Sequence, residues 1–213
     1  MPEPALRIVD ALTLPDPIRR VLMPGQPWDD GSGRKVPLPR YFYEVTSYRQ
    51  AHTTLLAPHF RLWEFIQTDV REVESLRDWP RYVPCAASLL AAVLSAIRQR
   101  LGTYVHIAAN GGYRSPGHAL CTGPEAIHAW GTSADLYRIG DDWMHAEESC
   151  REGRRRLREI LPGLHIAPYG AGPGQADDHL HVSLGPLVFA AHDFPPAPPE
   201  SEPWNPETVL PED

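Results

Sequence analysis

The distribution of proline most constrains what this chain can fold into. Of 24 prolines in 213 residues, six fall between residues 13 and 39 and seven between residues 195 and 211. Proline fixes φ and removes a backbone donor, so neither stretch suits the interior of a long helix or of a central strand. The first stretch also carries Gly25, Gly31 and Gly33, which punctuate turns. The sequence therefore predicts an irregular N-terminal arm over residues 1–54 that packs on the core. A folded domain follows over 55–190, and a flexible proline-rich tail over 191–213. The length accommodates one sizeable domain without demanding two.

Between the proline-rich ends the hydrophobic pattern becomes regular. Tyr41 to Tyr48, rich in aromatic and β-branched residues, reads as a strand. Leu62, Phe65, Ile66 and Val70 have helical spacing. The clearest helix runs from Cys85 to Leu101, with Leu89, Leu90, Val93, Leu94 and Ile97 as its apolar stripe and Gly102 as its stop. Short strands are expected at 104–108, 133–139, 164–167 and 180–184, with a helix over 143–161 ended by Pro162 and Gly163. Helices and short strands mix without a βαβ rhythm, so the fold class is α+β.

Charge and cysteine content narrow the function. A net charge of -7 argues against a nucleic-acid partner, which would require a basic stripe. The one basic cluster, Arg151, Arg154, Arg155, Arg156 and Arg158, alternates with Glu152 and Glu159 and reads as the solvated face of a helix. No stretch approaches the ~20 apolar residues of a membrane span. The first twenty residues are broken by Glu3, Arg7, Asp10, Pro15 and Asp16 and do not read as a signal peptide, so a cytoplasmic protein, as synthesised, is expected. Cys85, Cys121 and Cys150 are widely spaced and read as reduced, buried filler.

The chemistry is carried by two short segments. In Ala126-Ile-His128-Ala-Trp-Gly131-Thr-Ser133-Ala-Asp135 an imidazole and a carboxylate stand seven residues apart around a glycine turn. A bend at Gly131 would bring both to one point. In Asp177-Asp178-His179-Leu180-His181 two imidazoles stand at i and i+2, which share a face on extended chain. Two imidazoles and a carboxylate form a catalytic zinc set with a fourth position for water. The same His-x-His spacing also occurs in plain strands.

The order of these motifs resembles that of the zinc D-Ala-D-Ala carboxypeptidases and L-alanyl-D-glutamate endopeptidases of peptidoglycan. Vancomycin-resistance D,D-dipeptidases and the hedgehog zinc domain are relatives of that fold. The resemblance runs from Ala57-Pro-His-Phe60 and Trp63-Glu64-Phe65, through Gly112-Tyr113-Arg114-Ser115-Pro116, to His128-x-x-Gly131-x-Ser133-x-Asp135 and Asp178-His179-Leu180-His181. It implies a single domain with a small, mainly antiparallel sheet packed on helices. It implies one zinc ion per chain on His128, Asp135 and His181, and hydrolysis of an amide in a small peptide or peptidoglycan fragment. Asp178 takes the position of the family's general base, with His179 as competitor. Strict strand alternation would turn Asp178 away from His181. Arg114 matches the arginine that steadies the developing oxyanion; the alternative is a structural arginine paired with a loop carboxylate. Tyr113, Ser115 and Trp130 are candidates for substrate contact, Trp130 equally for core packing. Three positions depart from the pattern: Ser133 stands for alanine, Ala126 for serine, and Ser183 for an aspartate two residues past the last ligand. Recruitment to a biosynthetic or other non-wall amide, and a non-catalytic zinc module, are the alternatives.

Overall fold

The computed structural model describes residues 6–188; the expected tail over 191–213 lies outside them. The N-terminal arm packs on the core and is more regular than its prolines suggest. It opens with strand β1, Arg7–Asp10, and helix α1, Asp16–Leu22, which carries Pro17 in its first turn, where no intrahelical donor is lost. A hairpin follows, β2 at Pro27–Asp29 against β3 at Lys35–Pro37. Strand β4, Tyr41–Val45, ends short of Tyr48, because Ser47 caps the next helix, α2 at Tyr48–Thr53, by accepting from the Gln50 amide.

Strands β5, Leu55–Ala57, and β6, Phe60–Arg61, form a second small hairpin. The helical spacing over 62–70 yields a single turn, α3 at Trp63–Ile66, and Val70 is exposed. Asn110 explains the early stop. Its side-chain oxygen accepts from the Asp69 amide at 3.1 Å, and its own amide donates to the Gln67 carbonyl at 2.7 Å, so these backbone groups are taken by a distant loop. A further turn, α4 at Glu74–Arg77, leads to β7 at Arg81–Pro84, and β1, β4 and β7 make a three-stranded antiparallel sheet.

The long helix α5 runs over Ala87–Leu101 and ends on Gly102, whose positive φ of 65° lets its amide reach the Arg98 carbonyl. Its core-facing residues are Ala87, Leu90, Ala91, Leu94 and Ile97; Leu89, expected in the stripe, is exposed on the flank. After β8, Val105–Ile107, and a 3-10 helix over Gly123–Trp130, strand β9 occupies Ser133–Ile139. Strand β10, Asp142–Trp143, turns back on β9. Helix α6 covers Glu147–Ile160 and buries only Cys150, Gly153 and Leu157; its outer face carries Arg151–Glu147 and Arg155–Glu152 pairs, a solvated face as expected. Strands β11, His165–Ile166, and β12, Leu180–Ser183, complete a five-stranded sheet in which β9 pairs with β8, β10 and β12, all antiparallel.

One hydrophobic cluster joins the two larger sheets through α5, including Phe42, Val83, Leu90, Leu94, Leu136 and Val182. A smaller cluster, Leu38, Cys121, Ala129 and Trp130, ties the arm to the 3-10 helix. The result is an α+β fold with small antiparallel sheets. No described helix is long and apolar enough to cross a membrane. Cys85, Cys121 and Cys150 are free and buried, and burial pushes the thiols of Cys85 and Cys121 up to about 12.

Candidate metal centre

Strand register brings the first two site residues together. In the β9–β12 ladder His181 lies directly opposite Asp135, and directly opposed residues on one sheet face are neighbours. The His181 Nδ1 to Asp135 Oδ1 distance is 2.9 Å. His128 arrives from the other direction. The 3-10 helix ends at Gly131 with φ 69°, a left-handed conformation that reverses the chain into β9. Its Nε2 then lies 3.3 Å from Asp135 Oδ1 and 3.2 Å from His181 Nδ1.

Glu125 joins these three. Its Oε2 is 3.6 Å from His128 Nε2, and the ligating atoms of Glu125, His128, Asp135 and His181 all lie within 4.8 Å of one another. In a 3-10 helix residues i and i+3 eclipse, so Glu125 and His128 share a face. The spacing is visible as Glu125-x-x-His128, but it becomes a shared face only where the chain winds as a helix.

The group could hold a metal ion. The edges among His128, Asp135 and His181, 2.9 to 3.3 Å, suit donor atoms that share one small cation. The protonation pattern agrees. His128 Nδ1 donates to the Gly112 carbonyl at 2.7 Å, which leaves the Nε2 lone pair directed into the cluster. Burial holds His128 below its ordinary pKa, in the neutral form a metal requires. Burial alone would raise Asp135, but His128, His179 and His181 outweigh it and hold the carboxyl well below the usual range. The Gly112 carbonyl can reach the ring because the loop presses against Phe65, where a Cβ on residue 112 would meet backbone at 2.6 Å.

Arg114 is buried, and each of its three guanidinium nitrogens has a partner. Its Nε donates to the Asn110 carbonyl at 2.5 Å, one terminal nitrogen to Glu125 at 2.5 Å, and the other to Asp135 Oδ2. These contacts are of the kind expected of a structural arginine, with two carboxylates in place of one. It fixes both acids from behind, leaving Asp135 Oδ1 for the cluster.

The remaining site residues separate into those near the cluster and those enclosed elsewhere. Strand alternation prevails ahead of β12: the Asp178 side chain is 78% exposed, while His179 turns inward with Nε2 3.2 Å from Asp135 Oδ1. His179 Nδ1 and Asp178 Oδ1 are 2.5 Å apart. Burial would lower His179, but Asp135 and Asp178 on either side raise it to about 9. Tyr113, Ser115 and Trp130 are buried and do not line the cleft. Tyr113 packs edge-on against Phe42, Ser115 donates to Glu72 at 2.5 Å, and Trp130 sits in the smaller core cluster with its indole on the Pro37 carbonyl. Ser133 and Ser183 oppose each other in the ladder, and their hydroxyls are 2.8 Å apart.

A cleft of about 310 Å³ opens onto Glu125 and His181, with Asp30, Arg34, His165 and Gln175 around it. A larger, shallow depression of about 980 Å³ lies along α6 among surface charges, away from these residues. With the geometry of the centre described, comparison with family models, curated proteins and solved structures gives no match.

Proposed function

We propose that this chain is a zinc-dependent hydrolase of a peptide-type amide, most in keeping with peptides of the peptidoglycan kind that contain D-amino acids. The observation that carries the reading is the trio His128, Asp135 and His181, with mutual distances of 2.9 to 3.3 Å beside an open cleft. The resemblance of the His128-x-x-Gly131-x-x-x-Asp135 and His179-x-His181 segments to the zinc D-Ala-D-Ala peptidases supplies the substrate class. Bound zinc supplies a water of near-neutral pKa and polarises the amide carbonyl.

The chain's own residues then have separate tasks. His128 Nε2, Asp135 Oδ1 and His181 Nδ1 hold the ion, and the Gly112 carbonyl and Arg114 hold two of these groups in orientation. His179 moves the proton. Its ring faces the cluster while Asp178 backs its Nδ1, so the imidazole exchanges protons with solvent through the acid.

Glu125 favours a second reading, a closed four-ligand site that binds zinc for stability alone. Against it, the Glu125 oxygen is 2.5 Å from Arg114 and 3.6 Å from His128, farther out than the trio. Elemental analysis should find about one zinc per chain. Mass spectrometry on D-Ala-D-Ala, L-Ala-D-Glu and unrelated amide substrates should find cleavage. Zinc without cleavage of any of them supports the closed site; no zinc, with stability unchanged by chelation, removes both readings.

A further inference from the structure

The cleft beside the cluster is walled on one side by the turn of the β2–β3 hairpin, which lies outside the stretch of sequence that resembles the zinc peptidases. Its charged groups are already partnered, with one exception. Glu125 is bound by Arg114, and the Asp30 carboxylate, 5% exposed, is bound on both oxygens. Oδ1 accepts from the Ser32 amide at 3.0 Å and hydroxyl at 2.6 Å. Oδ2 accepts from Arg34 Nε at 3.0 Å and Nη2 at 2.9 Å. A guanidinium has two forked edges, and Asp30 occupies only the Nε/Nη2 edge. Among the described residues Arg34 Nη1 has no partner, and the Arg34 side chain is 66% exposed where it lines the cleft.

We propose that Arg34 selects substrates bearing a carboxylate, by presenting its Nη1/Nη2 edge to the cleft while Asp30 fixes the plane of the fork. The proposal rests on the metal-hydrolase reading, because the cleft is a substrate cleft only if the cluster is a reaction centre. A planar fork with one edge anchored offers paired N–H donors to a carboxylate with little rotamer freedom left to lose. Of the other walls, Pro124, Ile127, Ala167 and Pro186 supply shape and His165, Gln175 and Ser183 supply polar groups, so Arg34 is the one guanidinium lining the cleft among the described residues. The carboxylate comes either from a peptide C-terminus or from an acidic side chain.

Calorimetric titration of the zinc-loaded protein with metal-seeking thiols separates these sources and needs no turnover. The probes are mercaptoacetyl-Gly, mercaptoacetyl-Gly-Gly and mercaptoacetyl-Gly-Gly-Gly, each as free acid and as amide, together with the amides of mercaptoacetyl-Glu and mercaptoacetyl-Gln. In the wild type at least one acid should bind about tenfold tighter than its neutral counterpart, the gain of a charge-assisted fork. Arg34→Gln should remove that preference and leave the neutral probes unchanged; Arg34→Lys, which keeps the charge but not the fork, should retain part of it. A preference in the glycine series identifies a C-terminal carboxylate, and one confined to the Glu/Gln pair identifies a side chain. Equal binding of acid and neutral probes throughout, a preference that survives Arg34→Gln, or equal weakening of both classes by that change overturns the proposal. Failure of every thiol to bind the zinc-loaded wild type instead overturns the metal-hydrolase reading.

Discussion

Asp135→Asn tests the centre most directly, because Asp135 belongs to two arrangements that the substitution disturbs separately. One oxygen faces His128 and His181, and the other is ion-paired with Arg114, whose side chain is 5% exposed. Removing one partner of a buried pair costs roughly 3–5 kcal/mol, and Glu125 still partners the arginine here, so the lower end of about 3 kcal/mol applies. For a domain of this size about 2–4 °C of Tm accompanies each kcal/mol, so the chelated variant should melt about 6–12 °C below the chelated wild type. Zinc at a hundred times its Kd should stabilise the wild type by ~2.7 kcal/mol, or about 5–11 °C, and the variant very little. Scanning calorimetry with EDTA and with zinc reads both effects. A chelated variant as stable as the chelated wild type would refute the role assigned to the Arg114 pair, whereas an undiminished zinc shift would remove Asp135 from the ligands.

Other perturbations discriminate further. His179→Ala should lower kcat by about a hundredfold while leaving zinc content intact, and Asp178→Ala by about tenfold or less; the reverse order would return the proton to Asp178. His118 accepts the Leu120 amide on Nδ1 and contacts Asn110 through Nε2, and burial lowers it to about 4. The folded state therefore binds fewer protons than the unfolded state between about pH 6.5 and 4. Stability is lost as pH falls through that window, by up to about 3 kcal/mol. Denaturant unfolding of chelated wild type should show this loss and His118→Gln should lack it; identical pH profiles would contradict the assignment. In a double-mutant cycle Ser133→Ala and Ser183→Ala should couple by about 1 kcal/mol, and strict additivity would deny their hydrogen bond. Cys85 and Cys121 should resist alkylation in the native protein; rapid labelling would contradict their burial.

Much of the secondary structure was legible because period and stop signals were local. Strand β9 coincides with the expected Ser133 to Ile139, and α5 ends at Gly102 where the glycine said it would. The early end of α3 was not legible, since it depends on Asn110, more than forty residues away. The regular strands of the arm were obscured by prolines that sit at strand ends and in turns. At the site, sequence spacing put forward the His128 and Asp135 pair and the two imidazoles His179 and His181. The resemblance singled out His128, Asp135 and His181, and alternation already indicated that Asp178 would point away. Glu125 escaped notice because its relation to His128 exists only once the segment winds as a 3-10 helix. Arg114 was legible as important but not as a brace, because its two carboxylate partners lie 11 and 21 residues downstream. Nothing local distinguished Trp130 or Tyr113 in the core from the same side chains in a cleft.

The opposition of His181 to Asp135 across the ladder has a consequence for how this molecule tolerates change. The two residues stand 46 positions apart, and the intervening chain makes an excursion through β10, α6 and β11 before returning. That excursion need not have any particular length. It must only deliver β12 in phase, since a one-residue slip against β9 would replace His181 with Leu180 or Val182 and turn the imidazole to the opposite face. Insertions and deletions in the loops that flank α6 and β11 are therefore judged by whether they preserve this pairing rather than by their size. An ion that holds both partners would act as a proofreader of that pairing, rewarding one alignment of the strands and no other.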